Sequence, residues 1–369
     1  MKSIFNFIKK ETVLCVSGIL AIISMFFITP SIEYIDYIDF RVLSLLFCLM
    51  IVVSGMKQLK IFDFLAIKTL SKIKTTKSLT LLLVLLCFFC SMFITNDVAL
   101  ITFVPFTILI LSITKDNSLL IPIIVLQTIA ANLGSMLTPI GNPQNLYLYN
   151  TYSISFDVFL LRMLPIWVTS LILIIVASIT IKSRSINISF KPEDLPSINI
   201  KKLLVYFALF IICLLCVLRI IPFQIMLAIT VIIVILVDYH LLFKADYMLL
   251  LTFIFFFIFI GNISHIDAVS NFFADIVQGN ELFAGIISSQ FISNVPAAIL
   301  LSAFTTDGIS LLYGVNIGGL GTLIASLASV ISFKFYCNTD NSNKTKYLSI
   351  FTVYNIIFMI ILITVSVFF

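Results

Sequence analysis

Apolar runs of close to 20 residues recur along the whole chain, with short polar connections between them. A run of that length crosses the hydrocarbon core of a bilayer as an α-helix, and the alternation of a transmembrane β-strand is absent. Charged residues make up only 11% of the chain, whereas soluble domains carry about 25%. The sequence therefore predicts an all-α polytopic membrane protein without a separate soluble domain.

Nine runs are long enough for a single crossing, and each is predicted to form a transmembrane helix. No small-residue cleavage pattern follows the first run, which favours a membrane span over a cleaved signal peptide. The nine predicted spans are Thr12–Ile28, Arg41–Met56, Leu119–Leu148, Met163–Ile181, Leu203–Val217, Pro222–Val237, Tyr247–Gly261, Leu312–Phe335 and Tyr347–Phe368.

Lysine residues concentrate on alternate connections between these spans. The connection Lys57–Lys77 holds six lysines and one aspartate, whereas connections on the opposite face carry acidic residues and no lysine. The positive-inside rule therefore predicts a cytoplasmic N-terminus and an external C-terminus in the cytoplasmic membrane. Within Lys57–Lys77, the amphipathic segment IFDFLAIKTLSKI predicts an interfacial helix whose lysines set the topology rather than bind a ligand.

Two further apolar segments each begin and end on one face of the membrane. Glu281–Phe304 has 24 residues, too few to cross roughly 30 Å twice at about 1.5 Å per residue, so we expect a re-entrant hairpin. Ser78–Ser112 has 35 residues and fits either a re-entrant hairpin or two short spans. The charge pattern does not distinguish these two alternatives, because both return the chain to the same face.

An internal repeat favours the re-entrant alternative for Ser78–Ser112. The stretch FITNDVALITFVPF (Phe93–Phe106) aligns without a gap on FISNVPAAILLSAF (Phe291–Phe304), 198 residues later. Further on, ANLGSML (Ala131–Leu137) aligns on GGLGTLI (Gly318–Ile324), 187 residues later. Since the two copies have opposite predicted orientations, residues 1–182 and 203–369 are interpreted as inverted repeats joined by a cytoplasmic linker, 183–202. Inverted repeats are typical of secondary transporters.

The tips of the two predicted hairpins are candidate binding positions. Thr95, Asn96 and Asp97 form the first tip, and Ser293 and Asn294 form the second. Non-helical backbone at this depth presents free carbonyl and N–H groups, which bind ions in broken membrane helices. The alternative is that each asparagine only caps a short helix.

Asp97 is the carboxylate of the first tip, and Val295 takes its place in the second. Because an intramembrane carboxylate is costly, we expect a function for it, as a ligand of Na⁺ or as a carrier of H⁺. Asp97 is therefore the predicted coupling carboxylate. The alternative is a structural helix cap.

Two predicted spans, Leu119–Leu148 and Leu312–Phe335, are interrupted by helix-breaking sequences. GSMLTPIGNPQN (Gly134–Asn145) contains two glycines and two prolines, and GGLGTLIASLAS (Gly318–Ser329) begins with three glycines in four residues. Each is predicted to form a broken helix with an ion-binding loop, although a kinked helix that packs small residues is the alternative. The candidate ligands in these loops are Thr138, Gly141, Asn142, Asn145, Thr322 and Ser326.

Other classes of function lack their signatures. No nucleotide-binding motif occurs, and the aspartyl type of intramembrane catalysis needs a second membrane carboxylate besides Asp97. The CxxC pairs Cys87/Cys90 and Cys213/Cys216 lie in apolar runs and are predicted to pack in the core. We expect no cofactor apart from a transported or coupling ion, no catalysis and no nucleic-acid partner.

The stretches TNDVALITFVPF, TPIGNPQN, SNVPAA and GGLGTLIASLAS resemble those of the ion transporter superfamily. The likeness is greatest to its citrate-transporter-like grouping, which includes arsenite permeases and NhaD-type sodium/proton antiporters. The resemblance implies inverted repeats, two re-entrant hairpins, two broken helices, an elevator mechanism and a homodimer. Related divalent-anion/sodium symporters have Ser-Asn-Thr at both tips, where this chain has Asp97 and Val295 in place of threonine. The Asn-Asp tip resembles the permease and antiporter branch, which implies proton coupling.

The combined prediction is a secondary active transporter that moves a small anion or oxyanion, coupled to H⁺ or Na⁺. A Na⁺/H⁺ antiporter of the same superfamily is the alternative. A non-transporting membrane assembly or sensor protein is a more remote one.

Overall fold

The computed structural model describes residues 11–70, 73–114, 116–186, 196–339 and 342–368. These residues form 17 α-helices, and their β-structure is limited to one isolated bridge between Thr75 and Ser185. The helices are α1 Thr12–Ser24, α2 Phe40–Gln58, α3 Ile61–Leu70, α4 Thr76–Ile94, α5 Asn96–Ile113, α6 Leu120–Ser135, α7 Pro143–Thr151, α8 Phe156–Ile179, α9 Ile200–Val217, α10 Phe223–Asp238, α11 Tyr247–Ser264, α12 Asp267–Val277, α13 Glu281–Ile292, α14 Asn294–Ser302, α15 Gly308–Gly318, α16 Leu327–Cys337 and α17 Lys344–Ser366.

Eight helical stretches among the described residues are long and apolar enough to cross a membrane. This finding confirms the prediction of an all-helical, multi-pass membrane protein. The eight stretches are Phe40–Gln58, Thr76–Ile94, Asn117–Ser135, Phe156–Ile179, Ile200–Val217, Phe223–Lys244, Tyr247–Ser264 and Lys344–Ser366.

Two predicted elements differ from the structure. The first predicted span, Thr12–Ile28, is helical only as far as Ser24, and α1 has 13 residues. At about 1.5 Å per residue it reaches only about 20 Å, short of a full crossing. The acidic connection that follows α11 was predicted as a loop, yet it contains the 11-residue helix α12. Apolar and polar residues lie on opposite faces of α12, which is typical of a helix at a membrane interface.

The helices pack in two groups, and each half of the sequence contributes to both. One group contains α4–α8 and α13–α17 and surrounds α6, whose membrane-spanning stretch Asn117–Ser135 is 83% buried. The other group contains α1–α3 and α9–α12. The groups meet where α11 packs on α14, α2 on α7, and α3 on α4 and α5.

The turns of both hairpins and both breaks lie within their predicted ranges, although the helices of the first hairpin extend from Thr76 to Ile113, slightly beyond 78–112. Helices α4 and α5 are separated by Thr95 alone, and α13 and α14 by Ser293 alone. Seven residues separate the end of α6 from the start of α7, and eight residues separate the end of α15 from the start of α16. The 19 residues of α4 also have the length of a full span, so length fits both alternatives for the first hairpin. In the predicted linker 183–202, residues 187–195 lie outside the described residues.

The cysteines of the two CxxC pairs are free thiols. Cys87, Cys213 and Cys216 are buried in the hydrophobic core, and Cys90 packs against it. This packing confirms the predicted role of these pairs in the core.

Candidate functional site

The two hairpin tips have the same backbone conformation. Thr95 has φ 69° and ψ 152°, and Ser293 has φ 75° and ψ 153°. Positive φ is uncommon for residues other than glycine, and such residues concentrate at functional sites. In both tips an asparagine follows this residue and begins the next helix. The sequence therefore identified the turn residue of each hairpin correctly.

Asn96 connects the first tip to the first broken helix. Its backbone N–H donates to the carbonyl of Gly141 (3.1 Å), and its side-chain Nδ2 donates to Oδ1 of Asn132 (3.0 Å). Asn132 lies one turn before the end of α6 and is buried. The first tip is thus held against both ends of the break between α6 and α7.

Asn132 also reaches the second half of the chain. Its Oδ1 accepts a hydrogen bond from Oγ of Ser326 (2.9 Å), and its Nδ2 donates to the Gly319 carbonyl (3.4 Å). Gly319 in turn approaches the second tip, because a Cβ at this position would lie 3.0 Å from Nδ2 of Asn294. Hydrogen bonds therefore connect the first tip through Asn132 to Gly319, which packs closely against Asn294 of the second tip.

Asn316, near the end of α15, makes the corresponding contacts with the first half. Its Oδ1 accepts from Nδ2 of Asn142 (3.3 Å), and its Nδ2 donates to Oδ1 of Asn145 (2.7 Å). Asn142 caps the N-terminus of α7, and its Nδ2 also donates to Oγ of Ser135 (3.1 Å). Each broken helix is therefore hydrogen-bonded to the loop of the other.

Three further predicted ligands donate to backbone carbonyls, and Ser293 Oγ also lies 3.5 Å from Oδ1 of Asn294, to which it can donate. Thr138 donates to the Met92 carbonyl (2.5 Å), and exposed Thr322 donates to the Gln290 carbonyl (3.0 Å). Ser293 lies 3.5 Å from the Ala325 carbonyl, to which its hydroxyl donates. These three side chains hold the hairpins and loops together, and Thr322 lies outside the buried cluster.

In these contacts, a residue of the first broken helix and the residue 184 positions later in the second broken helix occupy corresponding places. Thr138 and Thr322 fit this register, as do Asn132 and Asn316. Asn142 and Ser326 also fit it, because each bonds to the asparagine of the opposite broken helix. The predicted register of 187 is therefore three residues off. The register of 187 aligned the Leu-Gly pair at 133 with the identical pair at 320. The contacts instead align it with the Ile-Gly pair at 317, which lies three residues earlier.

The sequence prediction missed Asn132, Asn316 and Ser135. In the register of 184, the triplet Asn-Leu-Gly at 132 aligns with Asn-Ile-Gly at 316. That alignment contained the signal for both asparagines. Ser135 carries no such signal, because Gly319 takes its place in the second half.

Helix ends of both polarities converge on this cluster. Helices α5, α7, α14 and α16 begin at it, whereas α4, α6, α13 and α15 end there. The N-terminus of a helix carries partial positive charge and free N–H groups, which favour an anion. The C-terminus presents free carbonyls, which favour a cation. The cluster can therefore hold an anion and a cation close together.

Asp97 is the one charged residue among the predicted ligands. It lies in the first turn of α5 and is half-buried, and its backbone N–H donates to Oδ1 of Asn96 (2.9 Å). Its own Oδ1 is buried without a hydrogen-bond partner within the described part of the chain. Buried polar atoms of this kind are rare and call for a ligand, an ion or a proton.

Comparison with known proteins supports a transport role for this chain. The family described as "Citrate transporter" matches residues 4–307, which include the first hairpin, the first break and the second hairpin. "Uncharacterized transporter MJ0456" of Methanocaldococcus jannaschii is 35% identical over 340 residues, which cover 90% of each chain. "Inner membrane protein YbiR" of Escherichia coli is 30% identical over 310 residues, or 80% of each chain.

A third relative is more distant. "Silicon efflux transporter LSI3" of Oryza sativa subsp. japonica is 32% identical over 129 residues, which cover 35% of this chain and 26% of the relative. The family match extends over most of this chain, and the two longer relatives match along most of their own length. The chain therefore belongs to the citrate transporter family.

Proposed function

We propose that this chain is a secondary active transporter that moves a small anion or oxyanion across the cytoplasmic membrane, coupled to H⁺ or Na⁺. Family membership and the transporter names of its relatives support transport itself. The name of the rice relative supports a small inorganic cargo.

The observation that carries the proposal is the convergence of four helix N-termini on a buried cluster of amides and hydroxyls. None of the residues that form the cluster's hydrogen bonds carries a positive charge, so the cargo anion is bound by N–H dipoles and asparagine side chains. Four helix C-termini and Asp97 offer oxygen ligands for the coupling cation. Binding both ions in one place lets the gradient of one drive the movement of the other.

The architecture supports inverted repeats and an elevator mechanism. The two tips share one backbone conformation, and the two breaks are linked by reciprocal hydrogen bonds in a constant register. In this proposal both hairpins are re-entrant, and the group that contains α4–α8 and α13–α17 carries the site. The other group, α1–α3 and α9–α12, is the scaffold along which it moves, in a homodimer.

Uptake into proteoliposomes tests the function. Radiolabelled phosphate, arsenate and citrate are supplied with an inward gradient of H⁺, of Na⁺, or of neither. We expect one anion to accumulate only when one of the gradients is present. Asn96→Ala and Asn294→Ala should each raise the half-saturating anion concentration several-fold, because each removes a polar ligand from a dry site.

A Na⁺/H⁺ antiporter is the second candidate, because Asp97 is the only charged group at the tips and its Oδ1 has no hydrogen-bond partner within the described part of the chain. The same proteoliposomes, loaded with a pH-sensitive dye, distinguish the two. Dequenching on addition of Na⁺ without any anion, together with no anion uptake, would support the antiporter and overturn the anion transporter.

A further inference from the structure

A cavity of about 800 Å³ lies between α5 of the first hairpin and the lysine-rich end of α2 and α3. Lys57, Lys60 and Lys244 line it, together with one acidic side chain, Asp63. This cavity, here named the lysine vestibule, is separate from the cluster of asparagines described above. Its volume is in the usual range for sites that bind small molecules.

The charges of the vestibule favour an anion. Three lysines face one aspartate, and the other lining residues are uncharged. A cleft that is lined by one sign of charge and has apolar walls concentrates ions of the opposite sign. Burial raises the pKa of the Asp63 carboxyl, and the charges of Lys60 and Lys57 oppose that shift. Both lysines therefore act electrostatically on the interior of the cavity.

The backbone at the rim places two of these lysines at one opening. Helix α2 ends at Gln58 and α3 begins at Ile61, and Lys60 in this tight turn has φ 55°. Its N–H donates to the Lys57 carbonyl (2.9 Å). Strained backbone of this kind is retained where the surrounding structure or a function requires it.

The inner end of the vestibule points along α5 toward the first tip. Ile101 and Thr102 line the cavity and lie four residues after Asp97 and Val98. Residues four apart lie on the same face of a helix, about 6 Å apart along its axis. The vestibule thus follows the face of α5 that begins at the coupling carboxylate.

We infer that the lysine vestibule is an anion-binding antechamber on the face that the lysine distribution assigns to the cytoplasm. It takes small oxyanions or carboxylates on their way to or from the asparagine cluster, and this route rests on the proposed anion transport. Lysine ammonium groups bind phosphate and carboxylate oxygens through charge-assisted hydrogen bonds. The lysines of Lys57–Lys77 therefore recruit a ligand as well as set the topology.

Lysine acylation, read out residue by residue by mass spectrometry, tests binding on the wild-type protein. The probes are inorganic phosphate and citrate in phosphatidylcholine nanodiscs, at constant ionic strength balanced with sodium chloride. We expect saturating probe to slow acylation of Lys57, Lys60 and Lys244 about fivefold or more, because an amine that binds an anion is held protonated and unreactive. Lys334, an exposed lysine at the end of α16, is the control and should be unaffected.

A second arm distinguishes a free anion from a lipid headgroup, which presents the same phosphate chemistry. The experiment is repeated in nanodiscs that contain phosphatidylglycerol. Protection that phosphatidylglycerol alone supplies, and that phosphate does not change, would overturn the antechamber in favour of a lipid site. Equal protection of Lys334, or no protection of the three lysines, would also overturn it.

A transport measurement separates this inference from the proposed function. The triple variant Lys57→Gln, Lys60→Gln, Lys244→Gln should raise the half-saturating anion concentration on the lysine-rich side several-fold at low salt. High salt should reduce this difference between the variant and the wild type, because salt screens the lysine charges that only the wild type carries. Lys334→Gln should match the wild type. Protection of the three lysines without transport of any anion would support the vestibule and contradict the proposed function. Anion transport without protection of these lysines would support the proposed function and overturn the vestibule.

Discussion

The two hairpin tips share one backbone frame and differ in chemistry. Thr95 and Ser293 have nearly identical φ and ψ angles, and an asparagine follows each. The next residue is Asp97 in the first tip and Val295 in the second, where the valine is buried and apolar. The backbone conformation of the tip thus occurs twice in the site, whereas an ionisable side chain occurs in the first tip alone. In the proposed mechanism, coupling therefore depends on the first half.

The two broken-helix loops are also held by different means. In the first half, Asn145 in the first turn of α7 donates to the loop carbonyls of Met136 (3.1 Å) and Thr138 (3.2 Å). In the second half, Ser329 takes the place of Asn145, and its buried hydroxyl has no partner among the described residues. There the hairpin supplies the bonds, because Nε2 of Gln290 donates to the carbonyls of Gly318 (2.8 Å) and Leu320 (2.9 Å). The first loop is thus held both by its hairpin and by Asn145 of its own broken helix, whereas the second relies on its hairpin for the corresponding bonds.

The largest effect is expected from Asp97→Asn, which removes the charge that distinguishes the first tip. Ion-driven uptake should fall to the level of empty liposomes, because the amide neither releases a proton nor neutralises Na⁺. Thermal stability should be retained, since the change removes a half-buried charge with an unpartnered oxygen. Asp157→Asn, the same change at an exposed aspartate in the first turn of α8, is the control. Uptake by Asp97→Asn at the wild-type rate and with the wild-type pH dependence would remove Asp97 from the coupling role.

The next effect compares Gly141 with its counterpart Ala325. A Cβ on Gly141 would collide with the carbonyl of Ser135, whereas Ala325 accommodates its methyl group. Gly141→Ala should therefore lower the free energy of unfolding by about 1–3 kcal/mol, as forced overpacking does. Ala325→Gly should lower it by about 1 kcal/mol, through added chain flexibility and the loss of one buried methyl group. Unfolding in a denaturing detergent measures both, and equal losses would show that the first loop is not the tighter one.

The membrane spans, the hairpin tips and the first break could be predicted from the sequence, because each is specified by residues that are close together in the chain. The length of an apolar run defines a span, and Asn96 and Asn294 mark the tips through short-range alignment. Gly134, Pro139, Gly141 and Pro143 fall close together, and that density of glycine and proline interrupts a helix, so the first break was also predictable. The early end of α1 and the presence of α12 were not, since neither the end of an apolar run nor a polar connection specifies helix boundaries.

The polar cluster itself could be predicted only in part, because its geometry depends on contacts between distant segments. Asn132 and Asn316 lie inside helical stretches, where an asparagine in one sequence carries no local mark of function. Their role became evident only when the fold brought each against the loop of the opposite half. The partition into two helix groups was missed for the same reason, since it cuts across both halves of the chain.

A smaller difference is expected between Asn132→Ala and Asn316→Ala. Removing Oδ1 of Asn132 leaves both Asn96 Nδ2 and Ser326 Oγ without their acceptor. Removing Asn316 leaves Asn142 Nδ2 with its second acceptor, Ser135, and strands a single acceptor, Oδ1 of Asn145. Since a stranded buried donor costs about 1–3 kcal/mol, Asn132→Ala should weaken apparent anion affinity roughly tenfold. Asn316→Ala should weaken it only a few-fold, and the half-saturating concentration for uptake measures both.

The control for this pair is Asn150→Ala, because Asn150 donates to the Leu146 carbonyl within α7 and touches neither tip. Its affinity should equal that of the wild type. A larger loss in Asn316→Ala than in Asn132→Ala would place the more important contacts in the second half and contradict the comparison.

The smallest difference is expected between Thr138→Val and Thr322→Val, which test how each loop is fastened to its hairpin. Thr138 is half-buried and Thr322 is exposed, although their hydroxyls donate to equivalent carbonyls three residues before each tip. Thr138→Val should lower the free energy of unfolding by about 1 kcal/mol, because the Met92 carbonyl loses a partner that water does not readily replace. At Thr322 water can take over, and Gln290 still holds the loop through the Thr322 N–H (2.9 Å), so the loss should stay below about 0.5 kcal/mol. Equal losses in detergent unfolding would mean that water reaches both threonine hydroxyls to the same extent. The two threonine contacts would then not distinguish the first half from the second.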